Sequence, residues 1–148
     1  MLVELELIDI VCEELIRLGY KIQLQKRTRR HEGVDIIASK KTAEYDRRLF
    51  IEAVGETSSE ESSNRFGLPF DSSQSKVHVA ELLFESAKNY SNASIPGIDY
   101  RFGLAVPDNE IHRKLISDIQ EFLDFTNIAV FFVTSDKHIS IHNPNWVL

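Results

Sequence analysis

Two carboxylates, Asp35 and Glu52, are the residues of this chain whose type and spacing could do chemistry. Asp35 lies in the short apolar segment 33–37, and Glu52 lies in the apolar segment 49–55. If these segments pair as neighbouring strands of a hairpin, the two carboxylates lie side by side on one face of a sheet. Mg²⁺ prefers oxygen ligands and keeps several waters, so such a pair could hold it. The spacing therefore predicts a metal site that could activate water and offset charge at a phosphate.

The elements that would position this pair follow from the hydrophobic periodicity. Residues 2–18 place apolar side chains at helical spacing before Gly19, which predicts an amphipathic first helix. Alternating or continuous apolar stretches predict strands at 20–25, 34–39, 48–57, 102–106, 128–133 and 137–142. Two further helices are predicted, one over 74–90 capped by Ser73 and one capped by Asp108. We therefore predict a single α/β domain over residues 1–148, with helices flanking a central mixed β-sheet.

The chain resembles the PD-(D/E)XK, or restriction-endonuclease-like, nuclease superfamily over roughly residues 9 to 106. Asp35 matches the family's strand aspartate, Glu52 the glutamate of its Glu-x-Lys motif, and Gln74 the glutamine near the start of the following helix. The predicted order of elements also matches the family's αβββαβ core. The resemblance implies a DNA endonuclease that uses Mg²⁺ or Mn²⁺, with Asp35 and Glu52 as metal ligands. It further implies that Gln74 contacts metal-bound water or phosphate.

The chain departs from the family at Val54, which stands where the motif lysine is expected. Lys76 could replace that cation, because helical spacing puts it on the same side as the predicted apolar face of the helix 74–90. That face consists of Val77, Ala80, Leu83, Phe84 and Ala87. In the alternative reading, the stem of Lys76 lies along apolar surface and its ammonium reaches water. The chain would then be a catalytically inactive nuclease fold that binds DNA or a protein partner.

The charge distribution bears on a nucleic-acid partner. The net charge of −6 argues against binding through positive charge spread over the whole surface. The densest basic stretch nevertheless directly precedes Asp35, and we predict that Arg27, Arg29 and Arg30 bind nucleic-acid phosphate. An ordinary solvated turn is the alternative reading of these arginines. For five further residues, both a role at the site and an ordinary position at the protein surface remain open. These residues are Asp9, Glu56, Arg65, Phe66 and His78.

The composition is that of an ordinary globular protein, with 43% hydrophobic and 27% charged residues. No stretch approaches the roughly 18 apolar residues that a membrane span needs, and the N-terminus does not resemble a signal segment. The single cysteine, Cys12, cannot form an intrachain disulfide. We therefore predict a cytoplasmic protein without a membrane partner, which could form a homodimer. A third hypothesis is an α/β interaction module unrelated to nucleases, in which Asp35 and Glu52 would lie far apart.

Overall fold

The computed structural model describes residues 1–57 and 67–147, which form one β-sheet with helices on both faces. The helices α1 to α4 are Glu4–Arg17, Ser72–Asn92, Glu110–Asp118 and Gln120–Thr126. The strands β1 to β6 are Lys21–Gln25, Ile36–Lys41, Asp46–Ala53, Asp99–Pro107, Ala129–Val133 and Ile139–His142, and a 3-10 turn, Pro144–Trp146, follows. Arg65 and Phe66 lie outside the described residues. Within the described ranges, no helix is both long enough and apolar enough to cross a lipid bilayer.

The six strands lie in the sheet in chain order, from β1 at one edge to β6 at the other. The first three form an antiparallel meander, β3, β4 and β5 run parallel, and β6 is antiparallel to β5. Parallel neighbours need crossover connections, which α2 supplies between β3 and β4, and α3 with α4 between β4 and β5. The predicted α/β class, with a mixed sheet flanked by helices, is confirmed. The chain also follows the αβββαβ order that the resemblance implies.

Each face of the sheet carries its own apolar cluster. On the first face, α1 packs Leu7 and Val11 against strand residues that include Ile36 and Ile51. On the second face, residues of α2 and α3 pack against strand residues that include Leu104, Val106, Val130 and Phe132. Since side chains alternate along a strand, the neighbours of Ile36 and Ile51 point to the second face. The residues that precede Ile36 and follow Ile51 therefore lie on the side of α2.

The inward face of α2 differs from the predicted one. Its buried residues are Ser75, Val79, Leu82 and Ser86. Two members of the predicted apolar face, Val77 and Phe84, are instead 55% and 67% exposed. The prediction was wrong because the inward stripe contains two serines, so the most apolar stripe of this helix is not the buried one. The rotation decides which polar side chains of α2 face the sheet.

Two helix caps also differ from those predicted. Asp71, and not Ser73, caps α2, because its side chain accepts the backbone N–H of the third helical residue in a reciprocal capping box. Asn109, and not Asp108, caps α3, because its side chain accepts the backbone N–H of His112. The helix predicted after Asp108 is divided at Ile119, where α3 ends and α4 begins. These changes move helix ends by one or two residues and leave the layer arrangement as predicted.

Candidate functional site

Asp35 and Glu52 face each other across the β2–β3 hairpin. The antiparallel register pairs Ile36 with Ile51, so the next pair along the hairpin is Asp35 with Glu52. Asp35 is 7% exposed and Glu52 is 4% exposed, and their side chains hydrogen-bond to each other. The structure therefore brings together the two carboxylates that the sequence singled out.

Two donors fix the orientation of these carboxyl groups. The backbone N–H of Ala53 donates to Asp35 Oδ2 at 2.8 Å. From α2, Asn89 Nδ2 donates to Glu52 Oε1 at 3.2 Å. Both donors belong to regular secondary structure, so the carboxyl groups are held on a rigid frame. A ligand that binds here would meet oxygen atoms already in position.

Burial makes it costly for the pair to carry two negative charges. Burial and then the charge of Asp35 raise the pKa of Glu52 to about 8. Burial also raises the pKa of Asp35 above its ordinary value, against the lowering effects of the Ala53 amide and the Lys26 charge. Two neighbouring carboxylates ionise together only when positive charge compensates them. A divalent cation would supply that charge, since it inverts the local electrostatics of an acidic site.

The pair opens into a cavity of about 370 Å³ beside the end of β3 and the first half of α2. Around the pair, the cavity is lined by residues of mixed character: Glu4, Ala53, Val54, Gly55, Thr57, Phe70, His78, Glu81, Leu82 and Glu85. Its ionisable wall is mainly acidic, which repels a phosphate group in the absence of a cation. Any chemistry on a phosphate in this cavity would therefore require a bound positive charge.

The donor set fits a hydrated oxygen-binding cation. Within residues 1–57 and 67–147, no group of three or more His, Cys, Asp or Glu side chains is arranged to hold a metal. A metal at this position would thus rest on Asp35, Glu52 and water molecules. Mg²⁺ commonly binds through one or two carboxylates and retains several waters, whereas a structural Zn²⁺ needs four protein ligands. The residues present therefore fit Mg²⁺ or Mn²⁺ and do not fit a structural Zn²⁺ ion.

The start of α1 reaches the cavity through contacts with the segment after β3. The backbone N–H of Glu56 donates to the carbonyl of Leu2 at 2.9 Å, and Glu56 Oε1 accepts from the Leu2 N–H at 2.7 Å. Gly55 permits this approach, since a Cβ there would lie 2.6 Å from the backbone nitrogen of Glu4. Glu4 Oε2 in turn accepts a hydrogen bond from Lys26 Nζ at 2.5 Å. The contacts place an ion pair beside the two carboxylates.

Val54, at the position of the motif lysine, belongs to the apolar cluster on the second face. Its side chain is 9% exposed and shares this cluster with Leu82 and Leu104. Its backbone N–H donates to the carbonyl of Ala105 at 3.1 Å, which extends the pairing of β3 with β4. The residue at which the resemblance predicts a lysine is thus packed hydrocarbon.

Of the polar residues predicted to act at the start of α2, some line the cavity and others do not. His78 lines the cavity. Gln74 does not line it, and its Oε1 accepts the backbone N–H of Asp71 at 3.0 Å in the capping box. Lys76 is exposed, as is Val77 beside it, and it does not line the cavity either. The exposure of Lys76 agrees with the reading in which its ammonium reaches water and not with an inward orientation, because α2 is rotated relative to the predicted apolar face.

The remaining predicted site residues do not line the cavity. Arg27, Arg29 and Arg30 are exposed in the segment that joins β1 to β2 and leads to Asp35. Asp9 accepts a hydrogen bond from the side chain of Gln25, on the first face of the sheet. That contact and its exposure place Asp9 at the solvated edge of the apolar face of α1. Glu56 is hydrogen-bonded to the backbone of Leu2, as described above.

Three residues next to the pair were not assigned a role from the sequence, namely Glu4, Lys26 and Asn89. Asn89 is 37 positions from the glutamate it contacts, so no local pattern indicates the contact. Lys26 could have been found by extending the β1–β2 pairing backwards from Asp35. The register of that pairing shifts between Ile22 and Leu24, which hides the alignment from simple counting.

Comparisons with known proteins give a fold-level likeness and nothing finer. No protein-family model and no curated protein matches the chain. Among solved structures, an XisH family protein from Nostoc punctiforme is similar, with 19% sequence identity and a TM-score of 0.48. The alignment covers 92% of this chain and 94% of that protein. The chain is thus similar to that protein along nearly its whole length, and the likeness assigns it no activity.

Proposed function

We propose that this chain is a nuclease-like protein that uses Mg²⁺ or Mn²⁺ to hydrolyse phosphodiester bonds of DNA. The observation that carries the proposal is the buried pair formed by Asp35 and Glu52 on neighbouring strands. Burial of two adjacent carboxylates destabilises a fold unless their charge is compensated, so their presence here favours a cation-binding role. The proposal therefore starts from the electrostatics of this chain and agrees with the order of its elements.

In this proposal, Asp35 and Glu52 hold the cation, which would polarise a phosphate oxygen and promote ionisation of a water molecule. The chain's own groups orient the two carboxylates. Ala53 N–H and Asn89 Nδ2 keep the carboxylates in place. The apolar side chains of Val54 and Leu82 in the wall reduce the water around the reacting groups.

DNA is the proposed substrate because exposed arginines precede Asp35 along the chain. Arg27, Arg29 and Arg30 belong to the segment that runs into Asp35. In the proposal, these side chains would hold the phosphates that flank a reacting one, while the acidic pair recruits the cation. The overall charge of −6 implies that such contacts would be local.

The test is cleavage of DNA by the purified protein with Mg²⁺ or Mn²⁺, using single-stranded, duplex and branched forms. Wild type should cleave at least one form, and both Glu52→Ala and Asp35→Asn should lose at least about 99% of that activity, as expected when a metal ligand is removed. Equal traces of cleavage in wild type and both variants would indicate contamination and would contradict the proposal. A chelator should abolish the wild-type activity.

A second candidate function is a catalytically inactive nuclease fold that binds DNA or a protein partner. The observation that favours it is the packing of Val54 in an apolar cluster at the position of the motif lysine. An inactive fold that has lost its cation should show no change in melting temperature with divalent ions. A clear rise with Mn²⁺ would count against this candidate and in favour of the first.

A further inference from the structure

Lys26, Asp35 and Glu52 lie side by side at one end of the first three strands, with Lys26 directly after β1, Asp35 directly before β2 and Glu52 within β3. Gln25 pairs with Ile36 at the end of the β1–β2 ladder, and the backbone N–H of Lys26 donates to the carbonyl of Asp35 at 2.8 Å. Lys26 is thus the neighbour of Asp35 on one side, as Glu52 is on the other. Gln25 points to the first face, where it contacts α1, so the alternation directs Lys26 to the second face with the two carboxylates.

The ammonium group of Lys26 is held close to the two carboxylates. Its side chain is 14% exposed, and Nζ contacts Glu4 Oε2 at 2.5 Å. The positive charge is felt by Asp35, whose pKa it lowers. An ammonium group has three donors, and the contact with Glu4 uses one of them. Lys26 does not itself line the cavity, but its partner Glu4 does, so an ammonium paired with Glu4 lies beside the cavity wall and keeps two donors for an anion.

The alternatives to Lys26 are weaker on the same geometric grounds. Val54 packs in the apolar cluster, and Lys76 is exposed on α2. The guanidinium groups of Arg27, Arg29 and Arg30 belong to exposed residues. Lys26 is mostly shielded from solvent, so its charge is screened less by water and salt than theirs. It is the lysine that the strand pairing places beside the carboxylates.

We propose that Lys26, held in place by Glu4, binds a phosphate oxygen of the nucleic-acid substrate and so replaces the lysine that is missing at position 54. This inference rests on the proposed function, since it needs a phosphodiester bound beside Asp35 and Glu52. Lys26 is a phosphate-binding residue in this arrangement, and Glu4 is a positioning residue. The ammonium would act as a compact point charge on the phosphate.

The experiment compares wild type with Lys26→Met, which keeps the length of the stem but removes the charge. Two ligands are titrated: Ca²⁺ alone, and then, with Ca²⁺ present, a fluorescein-labelled DNA duplex with phosphorothioate linkages that resist cleavage. Lys26→Met should bind Ca²⁺ at least as tightly as wild type, because a nearby positive charge has been removed. It should bind the DNA about tenfold more weakly and reduce the salt slope of that binding by about 1.

Three further variants separate the phosphate contact from a structural effect. Lys26→Arg keeps the charge and should retain the salt slope, and Lys76→Met is the matched control at an exposed lysine and should behave as wild type. Glu4→Gln should weaken DNA binding without reducing affinity for Ca²⁺. If Lys26→Met fails to fold, the comparison of Lys26→Arg with wild type decides the question, since a lower salt slope in Lys26→Arg would overturn the inference.

The outcomes distinguish the proposed function of the protein from the proposed role of Lys26. Equal DNA affinity and equal salt slope in wild type and Lys26→Met would overturn the role of Lys26 and leave the proposed function standing. If wild type bound neither Ca²⁺ nor, with Ca²⁺ present, the DNA duplex, the proposed function and the role of Lys26 would be overturned together. Weaker binding of Ca²⁺ itself by Lys26→Met would show a structural role and would also overturn the inference.

Discussion

The side chains of Asp35 and Glu52 hydrogen-bond to each other in a part of the hairpin that is almost wholly removed from solvent. Replacing such a pair by apolar residues would spare the fold the cost of burying two acids. The backbone of Ala53 and the side chain of Asn89 supply the hydrogen bonds that buried carboxyl groups need, and they fix the orientation of the pair. This combination of cost and orientation is typical of a binding site.

Glu52→Gln should make the cation-free protein more stable at alkaline pH. Because the pKa of Glu52 is about 8 in the folded protein and 4.5 ordinarily, the folded state retains a proton that the unfolded state has released. The stability contributed by this proton is full below pH 4.5 and is lost as the pH rises through 8. Above that pH, the variant should exceed wild type by roughly 2 kcal/mol in denaturant unfolding.

Glu81→Gln is the control for that comparison, because Glu81 lines the same cavity but is exposed. It should follow the pH dependence of wild type. If Glu52→Gln and wild type kept a constant difference in free energy of unfolding across the whole pH range, the raised pKa of Glu52 would be contradicted.

Gly55→Ala should destabilise the fold by about 1 to 3 kcal/mol, the usual cost of adding a methyl group to a packed site. The added Cβ would lie 2.6 Å from the backbone nitrogen of Glu4 and 2.9 Å from the carbonyl carbon of Val3, so the start of α1 must move. The response to Mn²⁺ should also weaken, since the same segment carries the end of β3. Thermal unfolding with and without Mn²⁺ measures both effects.

Gly97→Ala is the matched control for the substitution at Gly55. Gly97 has a φ of 84°, and a methyl group added there would have open space within 4 Å, so its cost is backbone strain of about 1 to 2 kcal/mol. Its response to Mn²⁺ should equal that of wild type. An unchanged Mn²⁺ response in Gly55→Ala, together with unchanged stability, would contradict the close packing of the β3 end against α1.

The free energy of unfolding should fall in mild acid because His112 is buried in its neutral form. This residue is 1% exposed, its Nδ1 lies 2.8 Å from Asn109 Oδ1, and burial lowers its pKa from 6.5 to about 4. The unfolded state therefore takes up a proton first, so the stability present above pH 6.5 is lost as the pH falls toward 4. The loss should be roughly 2 to 3 kcal/mol in urea unfolding.

His112→Leu should remove that part of the pH dependence, although it also gives up the contact with Asn109. His138→Gln, at an exposed histidine, should keep the wild-type profile. If His112→Leu and wild type lose the same free energy of unfolding between pH 6.5 and 4, another group is responsible for the acid sensitivity.

The fold was predictable because the strand patterns and the helix periodicity of α1 agree with the tertiary packing. The apolar runs around Ile36, Ile51 and Val130 mark strands by composition alone, and each is a strand in the structure. The inward face of α2 was not predictable in the same way. Ser75 and Ser86 are buried there, and a hydrophobicity pattern cannot identify an inward stripe that contains polar residues.

The juxtaposition of Asp35 and Glu52 also followed from local patterns, since two strands joined by a short turn usually pair as a hairpin. The positive charge beside them did not. Lys26 meets Glu4 across 22 positions, and the irregular β1–β2 pairing separates it from any recognisable motif. Helical spacing pointed to Lys76 instead, because it lies on the predicted apolar side of the helix 74–90, but its exposure follows from the rotation of α2, which only packing determines.

Thermal unfolding in a series of Mn²⁺ concentrations tests most directly whether Asp35 and Glu52 form a cation site. The melting temperature of wild type should rise with Mn²⁺, because an ion that binds only the folded state stabilises it by about 2.7 kcal/mol at a hundred times its Kd. Asp35→Asn should lose this rise, whereas Asp9→Asn, at an exposed acid on the first face of the sheet, should keep it. A flat response in wild type, or an equal rise in wild type and Asp35→Asn, would contradict the assignment of the cation to this pair.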